Sequence, residues 1–209
     1  VGRTISQGKY KVNIRDISLS GIGGGRVALG VRVDGTVRGR AELRYDTVND
    51  GKTAMGRIDA SGANGALVLH ADAVYRDQDD YETPDGEQAN SFVETRTGGV
   101  GVSYVGDAGF IGVSLSRFDN RYGNPGEPGD EDPITKGGGE AVVLDMLQDR
   151  AELKGGLNGE LWIFDGLRFG VANTQYEHTE FEGEEVGTRF EAEGVEGRVE
   201  LTHRKLGAW

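Results

Sequence analysis

The chain of 209 residues contains no cysteine. That excludes a disulfide scaffold, a thiolate metal site and a cysteine nucleophile. Aromatic residues make up 8% and hydrophobic residues 36% of the chain, against 28% charged residues, a balance that leaves disorder open until periodicity is considered. Long apolar runs are missing: the longest, Ala141 to Leu147, is broken by Asp145, so no segment reads as a transmembrane helix. Val1-Gly2-Arg3-Thr4 lacks the basic-then-apolar order of a signal peptide, so the expectation is a cytoplasmic chain or one whose leader has been removed. Basic residues are outnumbered, 23 against 35 acidic, for a net charge of −12. Phosphate contacts need clustered Lys and Arg, so nucleic acid is not an expected partner. The length suits one domain or one and a half.

Glycine is what the chain has in excess, with 36 residues, and it follows no Gly-X-Y period that would indicate collagen. Periodicity elsewhere is clear. Val37, Gly39, Ala41, Leu43 and Tyr45 alternate with Arg38, Arg40, Glu42, Arg44 and Asp46. A period of two over ten residues is a β-strand with one apolar and one charged face. Leu67, Leu69, Ala71, Ala73 and Tyr75 repeat the pattern, as do segments around Val100–Tyr104, Ile111–Leu115, Leu167–Val171 and Val195–Leu201. Lys52–Ser61 and Glu140–Lys154 are strand-like but less regular. No segment holds a 3.6-residue period, so the chain reads as all-β.

In Phe92–Tyr104 the parity is imperfect, because Glu94 and Arg96 share a face with Val100 and Val102. Either a bulge at Gly98-Gly99 resets the register or the first half of the strand stands clear of the apolar zone. The connections alternate as well. Ala63-Asn64-Gly65 and Gly106–Gly109 are tight hairpin turns. Gln78–Ser91 and Asn120–Gly139 are long acidic loops, and Thr179–Gly187 is an acidic loop of intermediate length. Leu157–Asp165 should be a short turn, yet it contains Trp162 and Phe164. Short turns at one end and long loops at the other are how outer-membrane barrels are built. The fold class is therefore an antiparallel up-and-down meander of about 8–10 strands, forming a transmembrane β-barrel or part of one.

Alternation alone does not say which face is inside. The strongly charged polar faces favour apolar residues outside. So do the strand lengths, near the roughly 9–11 residues of a tilted membrane strand. Aromatics near strand ends read as two interfacial girdles, Tyr45, Tyr75, Phe118 and Tyr176 toward the long loops, Tyr104 and Phe110 toward the short turn. A soluble all-β binding module with apolar faces inside is the alternative.

Several stretches resemble the barrel of TonB-dependent outer-membrane receptors. They are Arg198–Arg204, preceded by Tyr176–Gly183 and Val186–Phe190, then Gly112–Gly126, Ala73–Asp77 with Asp79–Tyr81, and Gln148–Arg150. The similarity runs in order from about Val37 to Trp209 and corresponds to the early part of that barrel. It implies residence in the bacterial outer membrane and a role in uptake of iron chelates or other scarce nutrients. Lipid, a plug domain and TonB would be partners of the full-length receptor. Residues 37–209 would be the barrel segment. Residues 1–36 are N-terminal strands of unclear origin, with Ile22–Val27 faintly similar to the last plug strand. No plug, TonB box or remaining strands of a 22-stranded barrel are recognisable, so the segment is not expected to transport alone. A free-standing small barrel with a structural or passive-pore role is the other membrane reading.

Under the membrane reading, Arg38, Arg40, Glu42, Arg44, Asp72 and Arg76 are the lumen-facing candidates. They would contact a plug, line a solute path, or pair with one another as a salt-bridged core. No cofactor, metal or catalytic residue is assigned. Gly23–Ala28 scans as G-x-G-x-x-A but precedes β-branched residues rather than a helix. Asp77, Asp79, Asp80, Glu82 and Asp85 form an acidic loop without EF-hand spacing, and Glu127–Asp132 and Glu177–Glu185, with His178, are similar. His70 and His203 are expected to line the barrel. There is no G-x-S-x-G elbow, so an enzyme is not expected.

Overall fold

The computed structural model describes residues 3–7, 10–20, 24–33, 37–125, 141–161 and 163–204, with only the backbone described up to residue 33. The first strands are β1 (Arg3–Gln7), β2 (Tyr10–Ser20), β3 (Gly24–Val33), β4 (Val37–Asp46), β5 (Gly51–Gly62) and β6 (Leu67–Gln78). They are followed by β7 (Tyr81–Thr83), β8 (Gly86–Gln88), β9 (Val93–Gly106), β10 (Gly109–Gly123), β11 (Val142–Leu161), β12 (Phe164–Glu182) and β13 (Glu185–His203). All but β7 and β8 form one sheet of 11 strands, each beside its neighbour in sequence, and β7 and β8 form a separate hairpin. Every pairing in the sheet is antiparallel. The all-β meander expected from periodicity is what the chain forms. Eight of its strands lie in residues 37–204 and three come from the first 33. The sheet is open, with β1 and β13 at the two ends of the strand order.

Register keeps the apolar residues together. Val37, Ala60, Leu69, Val102, Val113, Leu153 and Val171 occupy one row across seven strands. Near the N-terminus, Tyr10, Val12 and Ile14 stand opposite Val33, Val31 and Leu29. A bulge then adds one residue between Arg15 and Ile17, which brings Ile17 and Leu19 opposite Val27 and Gly25. Without the bulge Asp16 rather than Ile17 would stand opposite Val27, in the apolar row.

The apolar rows form a slanted band. On β4 it reaches from Val37 to Tyr45, whereas the Tyr45 row continues into Lys52, Asp77, Glu94, Arg121 and Asp145. On β13 the band runs from Val195 to Leu201, three rows lower at its upper edge and two at its lower edge. Four to six residues over seven strand spacings is a slope of about 20–30°, somewhat under the 35–45° tilt of closed barrels. The nine residues from Val37 to Tyr45 span about 30 Å along the strand and roughly 20–25 Å when tilted.

This band is uncovered. Leu115 is 60% exposed and Val195 73%, and only Leu144 and Ala172 are buried hydrophobics among the described residues. A soluble sheet of this size buries one face against something; this one does not.

The structure resolves four open points. Register runs unbroken through Gly98 and Gly99, so no bulge resets it. Glu94 and Arg96 stay on the Val100 face, Arg96 level with Tyr75 and Glu94 one row beyond it, opposite Asp77. Most of Leu157–Asp165 is strand: β11 extends to Leu161 and β12 begins at Phe164, with a register shift between Asn158 and Leu161, and Trp162 lies outside the described residues. Thr179–Gly187 is not a loop of intermediate length either, since β12 and β13 extend to a two-residue turn at Gly183-Glu184, with Gly183 at φ +62°. Gln78–Ser91 contains the β7–β8 hairpin. Asn120–Gly123 belongs to β10, and residues 126–140 lie outside the described residues. The two tight turns are as expected, with Ala63, Asn64 and Gly65 all at positive φ.

The aromatic girdles need correction. Tyr45, Tyr75 and Tyr104 share the apolar face, but Phe110, Phe118 and Tyr176 fall on the opposite parity. Closeness to a strand end does not fix a face; parity does. Phe110 instead covers a glycine. A Cβ added at Gly156 would meet the Phe110 ring, and one added at Gly155 would collide with Phe169 on the other face. Two adjacent glycines therefore each lie under an aromatic ring from a paired strand, which restores the apolar cover they lack.

Candidate functional site

The face opposite the band carries the charges. β4 places Arg38, Arg40, Glu42 and Arg44 on it by simple alternation. Register then sets them against β5 and β6: Arg38 opposite Asp59, Arg40 opposite Arg57, Arg44 opposite Thr53, with His70, Asp72 and Arg76 opposite Asp59, Arg57 and Thr53. All six candidate residues therefore share one face.

Two of them are the arginines of ion pairs that run along a single strand. Arg40 reaches Glu42 at 2.8 Å and Arg44 reaches Asp46 at 3.0 Å, each along its own strand. These arginines are 57% and 60% exposed, so each pair contributes about 0–1 kcal/mol. Arg38 and Arg76 make no ion pair among the described residues. Pairing along a strand links residues two apart on one face and holds no two strands together.

Cross-strand contacts are found elsewhere on the face. His70 on β6 has Asp59 Oδ1 of β5 at 2.7 Å from Nδ1 and Asp72 Oδ1 at 2.7 Å from Nε2. An imidazolium donates to both carboxylates at once; a neutral ring satisfies only one. Asp59 is also held by Arg57 at 3.0 Å. This clamp was not legible in sequence, because it depends on the β5–β6 register. A second cluster spans β11 to β13: Arg150 bridges Glu152 and Glu196, and Lys154 reaches Glu152 at 2.7 Å. Between the two clusters, β9 and β10 present Thr97, Gly99, Gly101, Ser103, Ser114 and Ser116, small and uncharged.

The remaining histidines behave differently from expectation. His178 lies on the polar face, 3.2 Å from the Tyr176 hydroxyl, with its ring centroid 5.7 Å from that of Phe190. His203 does not line that face. It continues the row of Val199 and Leu201 on the apolar side, with Nδ1 at 2.7 Å from the Arg204 carbonyl oxygen.

Several ion pairs sit on the apolar-face parity, among them Arg96–Glu94, Arg121–Asp145, Arg189–Glu177 and Arg117–Asp149. Arg117 donates twice to Asp149 across β10 and β11, at 2.7 Å from Nε and 2.5 Å from Nη2. Register puts it level with Gly98 and two rows below Tyr45, where the slanted band has already ended on these strands.

The acidic loop after β6 has a structural use. Asp80 accepts hydrogen bonds from the Ser91 amide at 2.6 Å and the Asn90 amide at 3.0 Å, tying its two ends. Asn90 then donates to the carbonyls of Asn124 at 3.0 Å and Val142 at 2.8 Å, linking this loop to the next. A Cβ at Gly123 would collide with Asn90, so glycine permits that approach. Among the described residues no group of three carboxylate or imidazole side chains converges on a metal-sized site. No described helix is long and apolar enough to cross a membrane, which says nothing of a β-barrel. No protein-family model matches the sequence.

Proposed function

We propose that the chain is an early barrel wall of an outer-membrane transporter similar to TonB-dependent receptors, with the apolar band against lipid and the charged face toward the lumen. One observation carries this reading: an apolar band of near-membrane height, slanted across the sheet and solvent-exposed, with only Leu144 and Ala172 buried hydrophobics among the described residues. Exposed apolar surface on this scale is not sustained in water by a monomeric protein. The placement of Tyr45, Tyr75 and Tyr104 on that face suits interfacial anchoring. Among the described residues no core between apolar faces supports the soluble-module reading. The open strand order gives no support to a free-standing small barrel.

In this reading the chain is a wall, not a catalyst. Iron chelates or scarce nutrients are the solutes that the resemblance implies, and plug and TonB would supply the gating and energy that this wall lacks.

The test is a detergent-dependence experiment. The purified chain is transferred from micelles to buffer and followed by light scattering. The proposal expects association as detergent falls below its micellar concentration, and retention in liposomes on flotation. A monodisperse, folded chain in plain buffer sinks it.

A further inference from the structure

The polar face holds a basin at its short-turn end, between β10 and β13, with a volume of about 370 Å³. Its floor is Gly170 and Ala172, and the Phe110 ring forms one side. Charges of both signs surround it, and nearly all of them are answered. Glu152 is held by Arg150 at 3.3 Å and Lys154 at 2.7 Å, Glu196 by Arg150, and Glu200 by Arg198 at 2.7 Å.

Arg168 is the exception. It lines the basin and makes no ion pair or hydrogen bond among the described residues. Register puts it between Gly156 on β11 and Glu200 on β13, but the Glu200 carboxylate is engaged by Arg198 on its own strand. The Arg168 stem crosses Gly156, beside the Phe110 ring. Counting Arg150, four cations stand against three carboxylates around this basin. One guanidinium is left over.

We propose that this basin binds a small organic carboxylate, with the carboxylate on the Arg168 guanidinium and the body of the ligand between Phe110 and the Gly170–Ala172 floor. The guanidinium presents parallel N–H donors at the spacing of carboxylate oxygens. A single excess positive charge matches a monoanion. A doubly charged phosphate would stand close to Glu196 and Glu200 and lose by repulsion. The volume is at the lower end of small-molecule sites, which run from about 300 to 1,000 Å³, and it suits a ligand of a few carbons to one ring. The site is on the polar face whatever medium covers the other, so it does not depend on the membrane reading.

The test uses the full chain in detergent micelles, titrated with benzoate, acetate and inorganic phosphate, and followed by amide chemical shifts and calorimetry. Saturable benzoate binding is expected, tighter than acetate and tighter than phosphate, with the largest shifts on β11 to β13. Arg168→Gln should weaken benzoate about tenfold or more, the worth of one charge-assisted contact. Arg168→Lys should recover part of the loss, and Phe110→Leu should weaken benzoate while leaving acetate unchanged. Lys52→Gln, on the distant β5, should change nothing. Unshifted amides away from the basin show that each variant keeps its fold. The assignment fails if benzoate does not saturate, if Arg168→Gln binds it equally well, or if phosphate displaces it at equal concentration.

Discussion

At the residue scale, the two glycines under rings show how little of a contact a sequence displays. Gly155 and Gly156 read as weak points in a strand. In the structure each is covered, by Phe169 on one face and Phe110 on the other. Gly155→Ala forces the Phe169 ring aside and should cost about 1–3 kcal/mol as overpacking. Paired with Phe169→Leu the penalty should shrink, and a double-mutant cycle in urea-containing micelles measures the coupling; additive effects would remove the contact. His70 supports a second expectation. His70→Leu leaves Asp59 to Arg57 and strips Asp72 of its partner. The loss should be about 1 kcal/mol, because the ring and both carboxylates are partly solvated. Asp72→Asn should lose less, since the amide oxygen still accepts from the ring. Equal losses would mean that Asp72 charge, rather than the hydrogen bond, holds the clamp.

At the element scale, alternation made the strands legible and parity made the faces legible, where register was simple. β4 and β6 were plain because hydrophobic and charged residues alternate without interruption. The lengths of β11 to β13 were not. The acidic tips of β12 and β13 resemble loop composition, yet they pair through Glu182 and Glu185. Backbone pairing beyond the apolar band needs no hydrophobic pattern, so pattern reading ends where the band ends. The same limit hid the His70 clamp and the Arg150 cluster, which exist only once neighbouring strands are in register. The face assignment can be tested on adjacent residues of β10. Val113, in the middle of the band on β10, points to the band and Ser114 to the polar face. In liposomes Val113→Arg should destabilise the chain by about 2–4 kcal/mol, and Ser114→Arg by under about 1 kcal/mol. Urea titration in the two media separates them, and similar losses would mean that no lipid meets the Val113 face.

At the scale of the whole molecule, the unsettled feature of the sheet is its last strand. β13 has a paired side toward β12 and a free side, and every residue except Thr188 is exposed. Alternate amides and carbonyls along its free side have no partner strand. In water they are solvated, and the charged tip of Arg189, Glu191 and Glu193 discourages pairing with strangers. In a bilayer the stretch from Val195 to Leu201 has no such remedy, because each unpaired backbone group in hydrocarbon costs several kcal/mol. Under the proposed membrane reading the apolar band meets lipid while the free edge beside it needs another strand, and both demands fall on the same seven residues. Amide hydrogen exchange resolves which is met. In micelles, where water reaches the edge, β13 should show alternate slow and fast amides, slow toward β12 and fast toward the free side. In liposomes the fast set from Val195 to Leu201 should become slow only if a further strand pairs there. Particle mass then tells whether a second copy supplies it. Fast exchange persisting in liposomes, together with flotation, would mean that the edge stays wet and that the sheet lies at the membrane surface rather than across it.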